Sequence, residues 1–113
     1  MTSIFDPYFF ARSCKTAKNR IVLAPMTNGQ SNADGTLGDD EYRWLMRRAQ
    51  GDFGLIITCA AHVSTDGQGW PGELGIWDDR HIPGLRKLAM GIQDYGALAI
   101  VQIFHGGARS PMH

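Results

Sequence analysis

Asn19-Arg20-Ile21-Val22-Leu23-Ala24-Pro25-Met26-Thr27 is a short apolar run, opened by a basic residue and stopped by a proline and a polar turn. A buried parallel strand that ends at a ligand site reads this way. The pattern recurs at Phe53-Gly54-Leu55-Ile56-Ile57-Thr58-Cys59-Ala60 and at Leu98-Ala99-Ile100-Val101-Gln102-Ile103-Phe104-His105. Each run closes on small or polar residues able to face a ligand. The repetition predicts an α/β barrel with its chemistry at the strand ends.

Helical spacing fills the intervals. Residues 27–38 are rich in Asn, Gly, Ser and Asp, and Asp34-Gly35 signals a turn. A helix is predicted over 39–50, with Asp39 or Asp40 as N-cap or first-turn acid and Arg47-Arg48 near its C-terminus. Tyr42, Leu45, Met46 and Ala49 form its apolar stripe, and Gly51 is its C-cap. A second helix is predicted over 80–95, with Ile82, Leu85, Leu88, Ala89 and Ile92 inward and Gly96 ending it. The strands are placed at 21–26, 53–59 and 98–104, and a Gly106-Gly107 turn follows the third. Residues 61–79 form an unusually long connection, expected to be functional or to hold small local structure, where Trp70 and Trp77 are expected to anchor the loop by packing. Residues 1–20 read as a lead-in or short hairpin.

Strand, helix, strand, helix, strand implies right-handed crossovers and a parallel sheet. Three strands cannot close a (β/α)8 barrel. The competing doubly wound sheet lacks its phosphate fingerprint, because Gly29, Gly35 and Gly38 do not have G-x-G-x-x-G spacing. The chain stops at Ser110-Pro111-Met112-His113, where a further crossover should begin. The expectation is therefore a single partial domain over 1–113: the N-terminal β-α-β-α-β portion of a TIM (β/α)8 barrel, about three of eight strands.

Composition narrows the function. Eleven Lys+Arg balance eleven Asp+Glu, which leaves no electrostatic footprint for nucleic acid or an anionic membrane. The longest apolar runs are strand-length, far short of the ~20 residues of a membrane helix. Residues 1–6 lack the basic-then-apolar pattern of a secretory signal, so a cytoplasmic location is expected. Cys14 and Cys59 form no disulfide framework. Cys59 and His62 have the spacing of half a zinc site, but His105 and His113 are too loosely spaced to complete it, so no metal is expected and Cys59 reads as a buried strand-end residue.

At the strand ends stand Pro25, Met26 and Thr27, then Cys59, Ala60 and His62, then Gln102, Phe104 and His105. No nucleophile is paired with a base, Ser64 lacks a nucleophile elbow, and no paired carboxylates suggest glycoside hydrolysis. Small residues, backbone amides, one hydroxyl and one carboxamide suit a flat heteroaromatic cofactor. Singly, Thr27 reads as a turn hydroxyl, Gln102 as a satisfied polar residue and His105 as a structural histidine. The functional case is their recurrence after three successive strands.

In order and spacing, Lys18 to Thr27, Gly54-Leu55-Ile56-Ile57-Thr58, Val63-Ser64 leading through Gly69 and Pro71 to Gly75-Ile76-Trp77, and Gln102-Ile103-Phe104-His105 with Gly107 resemble the N-terminal part of the old yellow enzyme family. These are FMN-dependent NADH:flavin oxidoreductases and ene-reductases. The resemblance implies FMN as cofactor, NADH or NADPH as reductant and an activated alkene as substrate. It implies that Pro25, Met26 and Thr27 lie against the flavin, with Thr27 tuning its potential. Ala60 would pack on the flavin, and Gln102 would bond its pyrimidine edge. Two departures stand out. His105-Gly106-Gly107-Ala108 puts Arg109 one place later than the family's arginine, so Arg109 is left out of the site. Gly29 stands where some members carry a substrate-facing Tyr. The family's substrate-gripping His-and-His or His-and-Asn pair, proton-donating Tyr, basic residue at the flavin and phosphate loops would lie beyond residue 113, so no catalytic residue is expected within the chain. Activity then requires the rest of the barrel or a complementary chain, and a homo-oligomer is compatible with this reading. The alternatives are a non-catalytic partial barrel associating through its open edges, and a related flavin barrel acting on dienoyl thioesters or amines.

Overall fold

A computed structural model describes residues 1–111. Its elements are β1 (Tyr8–Phe10), β2 (Lys15–Ala17), β3 (Val22–Leu23), α1 (Asp39–Gln50), β4 (Leu55–His62), β5 (Leu74–Gly75), α2 (Ile82–Asp94) and β6 (Leu98–Phe104). Single 3-10 turns lie at Thr65–Gly67, Asp79–His81 and Gly107–Arg109. β1 and β2 pair antiparallel as a hairpin. The other strands form one parallel sheet with β4 at its centre. β6 runs along one side of β4 from Leu55 to His62. β3 and β5 divide the other side, β3 at Leu55–Ile56 and β5 at Ala61–His62. The sheet is open, with the strand-helix alternation expected of a partial barrel.

Both helices turn most of their apolar stripe to the sheet, but Ile82, expected inward, is 44% exposed at the first residue of α2. Leu45 and Ala49 of α1 and Leu88 and Ile92 of α2 are buried with Ile56, Ala61 and Leu74, while Tyr42, Met46 and Leu85 pack around them. Full burial of a Leu or Ile side chain contributes about 1.5–3 kcal/mol, which fixes the faces the helices turn to the sheet. Of the two roles open to Asp39 and Asp40, that of first-turn acid holds, and the N-cap is a different residue. It is Gly38, with no side-chain cap, and Asp39, Asp40 and Glu41 fill the first turn, where carboxylates complement the helix dipole. Gly51 is the C-cap. α2 is shorter than 80–95: the 3-10 turn occupies its expected start, and Tyr95 caps it before Gly96 at φ +79°.

Strand boundaries also moved. The first strand, expected over 21–26, pairs only at Val22–Leu23. Pro25 has no N–H to extend the ladder, and β5 takes the edge of β4 at Ala61–His62. The second strand, expected over 53–59, runs on to His62 because β5 and β6 pair its far end. The connection over 61–79 therefore holds the small local structure expected of it, the Thr65–Gly67 turn and β5. Asn19 ties the entry to β3: its Nδ2 donates to the Asp52 carbonyl at 2.8 Å and its Oδ1 accepts from the Ile21 N–H at 3.0 Å. A Cβ on Gly54 would sit 2.4 Å from the Asn19 carbonyl oxygen, so this close approach needs glycine. The hairpin lies at the N-terminal ends of the strands, where Phe10 and Lys15 share a groove with Leu55 and Leu98.

Candidate cofactor site at the strand ends

The sheet has two faces, and β6 shows which is which. Ala99 and Val101 pack on the helix-side core, whereas Ile100 and Gln102 are exposed on the face turned away. Alternation along a strand dictates this division. Gln102 is the register partner of Ala60, so the two residues share a row on the face away from the helices. Thr27 follows four residues after Leu23, the last paired residue of β3, on the opposite side of β4. Thr27 and Gln102 are exposed, Met26 is 54% exposed, Pro25 is half-buried and Ala60 is buried. The side chains of Thr27 and Gln102 make no hydrogen bond among the described residues. The orphaned amide Nδ2 of Asn28, buried beside Thr27, adds an unspent donor.

The row exists because β4 contains a β-bulge. Its register with β6 shifts between Ile57 and Ala60, so Thr58 and Cys59 together face Val101. Before the bulge Ile56 points to the helices; after it Ala61 does. The extra residue flips the alternation, as bulges near functional sites do. Both bulge residues turn to the helix side. Thr58 lines a cleft with Leu85, Leu88 and Ile92, while Cys59 lies by the buried carboxylate of Glu41, which also holds Ser31 Oγ. Burial, then the Glu41 contact, pushes the Cys59 thiol far above its ordinary range, so it is a neutral packing group.

His62 has no role at the exposed row. Its Nδ1–H donates to the Leu74 carbonyl at 2.9 Å, and its Nε2 accepts the Trp77 indole N–H at 3.0 Å. Those bonds fix one neutral tautomer, and burial, then the neighbouring His81, lowers its pKa. Neither nitrogen is left for a metal, and no group of three ligating side chains occurs among the described residues. His113 lies outside the described residues. Glu73, 1% exposed, sits 3.7 Å from His62 Nδ1 and accepts the Gly69 N–H at 2.6 Å; burial raises its pKa. Trp70 packs on Phe104 with ring centroids 5.3 Å apart, so both tryptophans anchor the loop. His105 is half-exposed against Gly67, and its Nδ1 accepts the Gly107 N–H at 2.9 Å, away from the row. Gly29, at φ +61°, leaves no side chain there.

Sequence reasoning missed two residues, Thr58 and Glu73. A bulge has no residue signature in a run as apolar as Leu55 to Ala61, and Glu73 reads as an ordinary loop acid.

A family model described as the NADH:flavin oxidoreductase / NADH oxidase family matches residues 3–113. The probable NADH-dependent flavin oxidoreductase YqiG of Bacillus subtilis is 46% identical over 108 residues, which cover 96% of this chain and 28% of that protein. The solved old yellow enzyme homologue of Zymomonas mobilis superposes with a TM-score of 0.82 at 36% identity, covering 92% of this chain and 28% of that one. A solved 2-naphthoyl-CoA reductase superposes with a TM-score of 0.91 at 31% identity, covering 97% and 16%. The chain thus spans less than a third of the length of each of these proteins. It belongs to the NADH:flavin oxidoreductase / NADH oxidase family, and its fold is the N-terminal β-α-β-α-β portion of the old yellow enzyme barrel. No helix among the described residues is long and apolar enough to cross a membrane.

Proposed function

We propose that this member of the flavin oxidoreductase family is the N-terminal part of an FMN-dependent barrel that passes hydride from NADH or NADPH to an activated C=C bond. The observation that carries the reading is the row at the strand ends. Ala60 and Gln102 share one face, and Gln102 and Thr27 present polar groups unspent among the described residues. This donor set fits a flat, polar-edged ring. The Gln102 carboxamide offers both a donor and acceptors to a heteroaromatic edge. The Thr27 hydroxyl can donate to a ring carbonyl. Pro25 and Met26 supply apolar surface that excludes water, and Ala60 is small enough to let a ring approach the backbone. FMN, when bound there, supplies the two-electron hydride chemistry. Grip on the substrate, proton donation and the phosphate site come from other parts of the barrel, at the C-terminal ends of its remaining strands.

Residues 1–113 then act as one part-domain, and the rest of the barrel covers what they leave bare. Ile100 is 46% exposed and Ile103 67%, an apolar edge that parallel sheets bury. The test is the complete protein. It should carry FMN stoichiometrically, and NADH or NADPH should reduce an α,β-unsaturated ketone at its expense. A complete protein that binds no FMN would leave the non-catalytic partial barrel in its place. The second reading, a flavin barrel acting on conjugated thioesters, draws on the similarity to the 2-naphthoyl-CoA reductase. Turnover of an unsaturated acyl thioester without turnover of the free ketone would select it.

A further inference from the structure

We propose that Thr58 is a positioning residue for the cofactor row: its hydroxyl holds the β4 bulge and through it sets Gln102 opposite Ala60. This rests on the cofactor reading above. The geometry is specific. Thr58 Oγ–H donates to the Cys59 carbonyl at 2.8 Å, and the same oxygen accepts the backbone N–H of Gln102 at 3.3 Å. One buried side chain therefore satisfies a carbonyl of the bulge and an amide of the neighbouring strand, where the ladder register breaks.

The consequence reaches the far face of the sheet. Side chains alternate along a strand, so one residue more or fewer exchanges the faces of everything beyond it. With the bulge, Ala61 enters the helix-side core and Ala60 lies level with Gln102. Without it, Ala60 would turn toward α2 and Ala61 toward the row. Thr58 itself points into the cleft lined by Leu85, Leu88 and Ile92. It acts from the side opposite the cofactor, through the backbone, and touches no ring atom.

The hydroxyl is separable from the shape of the side chain. Thr58→Val keeps the branched volume and removes the hydrogen bonds; Thr58→Ser keeps the hydroxyl and removes a methyl. In the complete holoenzyme, Thr58→Val should weaken FMN binding about tenfold, on the scale of one lost buried hydrogen bond. It should also shift the flavin absorption band and speed amide hydrogen exchange at Gln102. Thr58→Ser should restore all three. Should Thr58→Val not fold, Thr58→Ser against Thr58→Ala carries the same comparison. Unchanged FMN affinity and unchanged Gln102 exchange in the hydroxyl-free variant would overturn the proposal, as would failure of Thr58→Ser to restore them. Gln102→Leu separates this failure from that of the cofactor reading. If Gln102→Leu weakens FMN binding and Thr58→Val does not, the positioning role alone falls. If neither does, the assignment of Gln102 to the cofactor falls and the positioning role with it.

Discussion

The loop after β4 and the turn after β3 leave neighbouring strand ends, yet they are built in opposite ways. The β4 loop is tied down by bonds within itself and to the segments beside it. Leu74 and Trp77 hold both nitrogens of His62, the Gly75 N–H donates to the Gly35 carbonyl at 2.8 Å, the Ser31 N–H to the Gly72 carbonyl at 2.9 Å, and the Gly106 N–H to the Gly67 carbonyl at 2.8 Å. The segment Ala24 to Thr27 makes no ladder pair, and Met26 and Thr27 face solvent. Regions rich in buried bonds set stability, whereas regions with unspent groups are free to bind. The difference predicts a division of labour: substitutions in the loop change folding, and substitutions in the turn change the cofactor.

The strongest attack on that division is at Gly72. Its φ is +78°, and a Cβ there would lie 2.3 Å from the Gly29 carbonyl oxygen. Gly72→Ala should cost about 3 kcal/mol of stability by denaturant titration, from left-handed strain plus a backbone collision. A cost under about 0.5 kcal/mol, the range of an ordinary surface change, would show that the loop is not fixed as described.

A smaller effect is expected at Trp77, with a pH signature. Burial lowers the pKa of His62 and of His81, whereas burial raises that of Glu73. His81 also faces Asp78, Arg80 and Asp34, of which the acids raise its pKa and Arg80 lowers it. For the histidines the folded state prefers the neutral ring. Their stabilisation is full above the ordinary value of about 6.5 and is lost as pH falls from there toward the lowered folded value. Glu73 has the opposite sign, its contribution being full below the ordinary carboxyl value and lost as pH rises through the raised one. Trp77→Phe deletes the indole bond to His62 and should cost about 1 kcal/mol at about pH 7.5. The cost should shrink only once pH falls below the lowered folded-state pKa of His62, because a protonated Nε2 no longer accepts the indole in the parent either. A cost that stays the same after the His62 ring is seen to protonate in the folded parent would mean that this bond does not depend on neutral His62.

The smallest effect belongs to the open turn. On the proposed cofactor reading, Thr27→Ala in the holoenzyme should remove one hydrogen bond to the ring, worth about 0.5–1.5 kcal/mol. For a two-electron couple that corresponds to a shift of roughly 10–30 mV in flavin potential. Apoprotein stability should stay within about 0.5 kcal/mol. A potential that does not move, measured against a dye of known potential, would remove Thr27 from the cofactor; a large loss of stability would erase the contrast between the two regions.

Much of this was legible in the residues. The periodicity of Tyr42, Leu45, Met46 and Ala49 places one helix face, and the third apolar run gives β6 at Leu98–Phe104. Period and burial are tied by geometry, so such features can be read locally. The ends of the first two strands could not be read that way. Whether Val22 to Met26 or Leu55 to His62 pairs along its length depends on which strand lies beside it, and β5 comes from a connection that looked like loop.

The amino-acid sequence by itself determined the alternation of strands and helices, the family, and the identity of the polar groups at the strand ends, because each depends on residue type and spacing. Only the tertiary structure decided which of those groups stand together. A single bulge at Thr58–Cys59 reverses the alternation of β4 and brings Ala60 level with Gln102, and a register shift is a relation between two strands that neither strand carries alone.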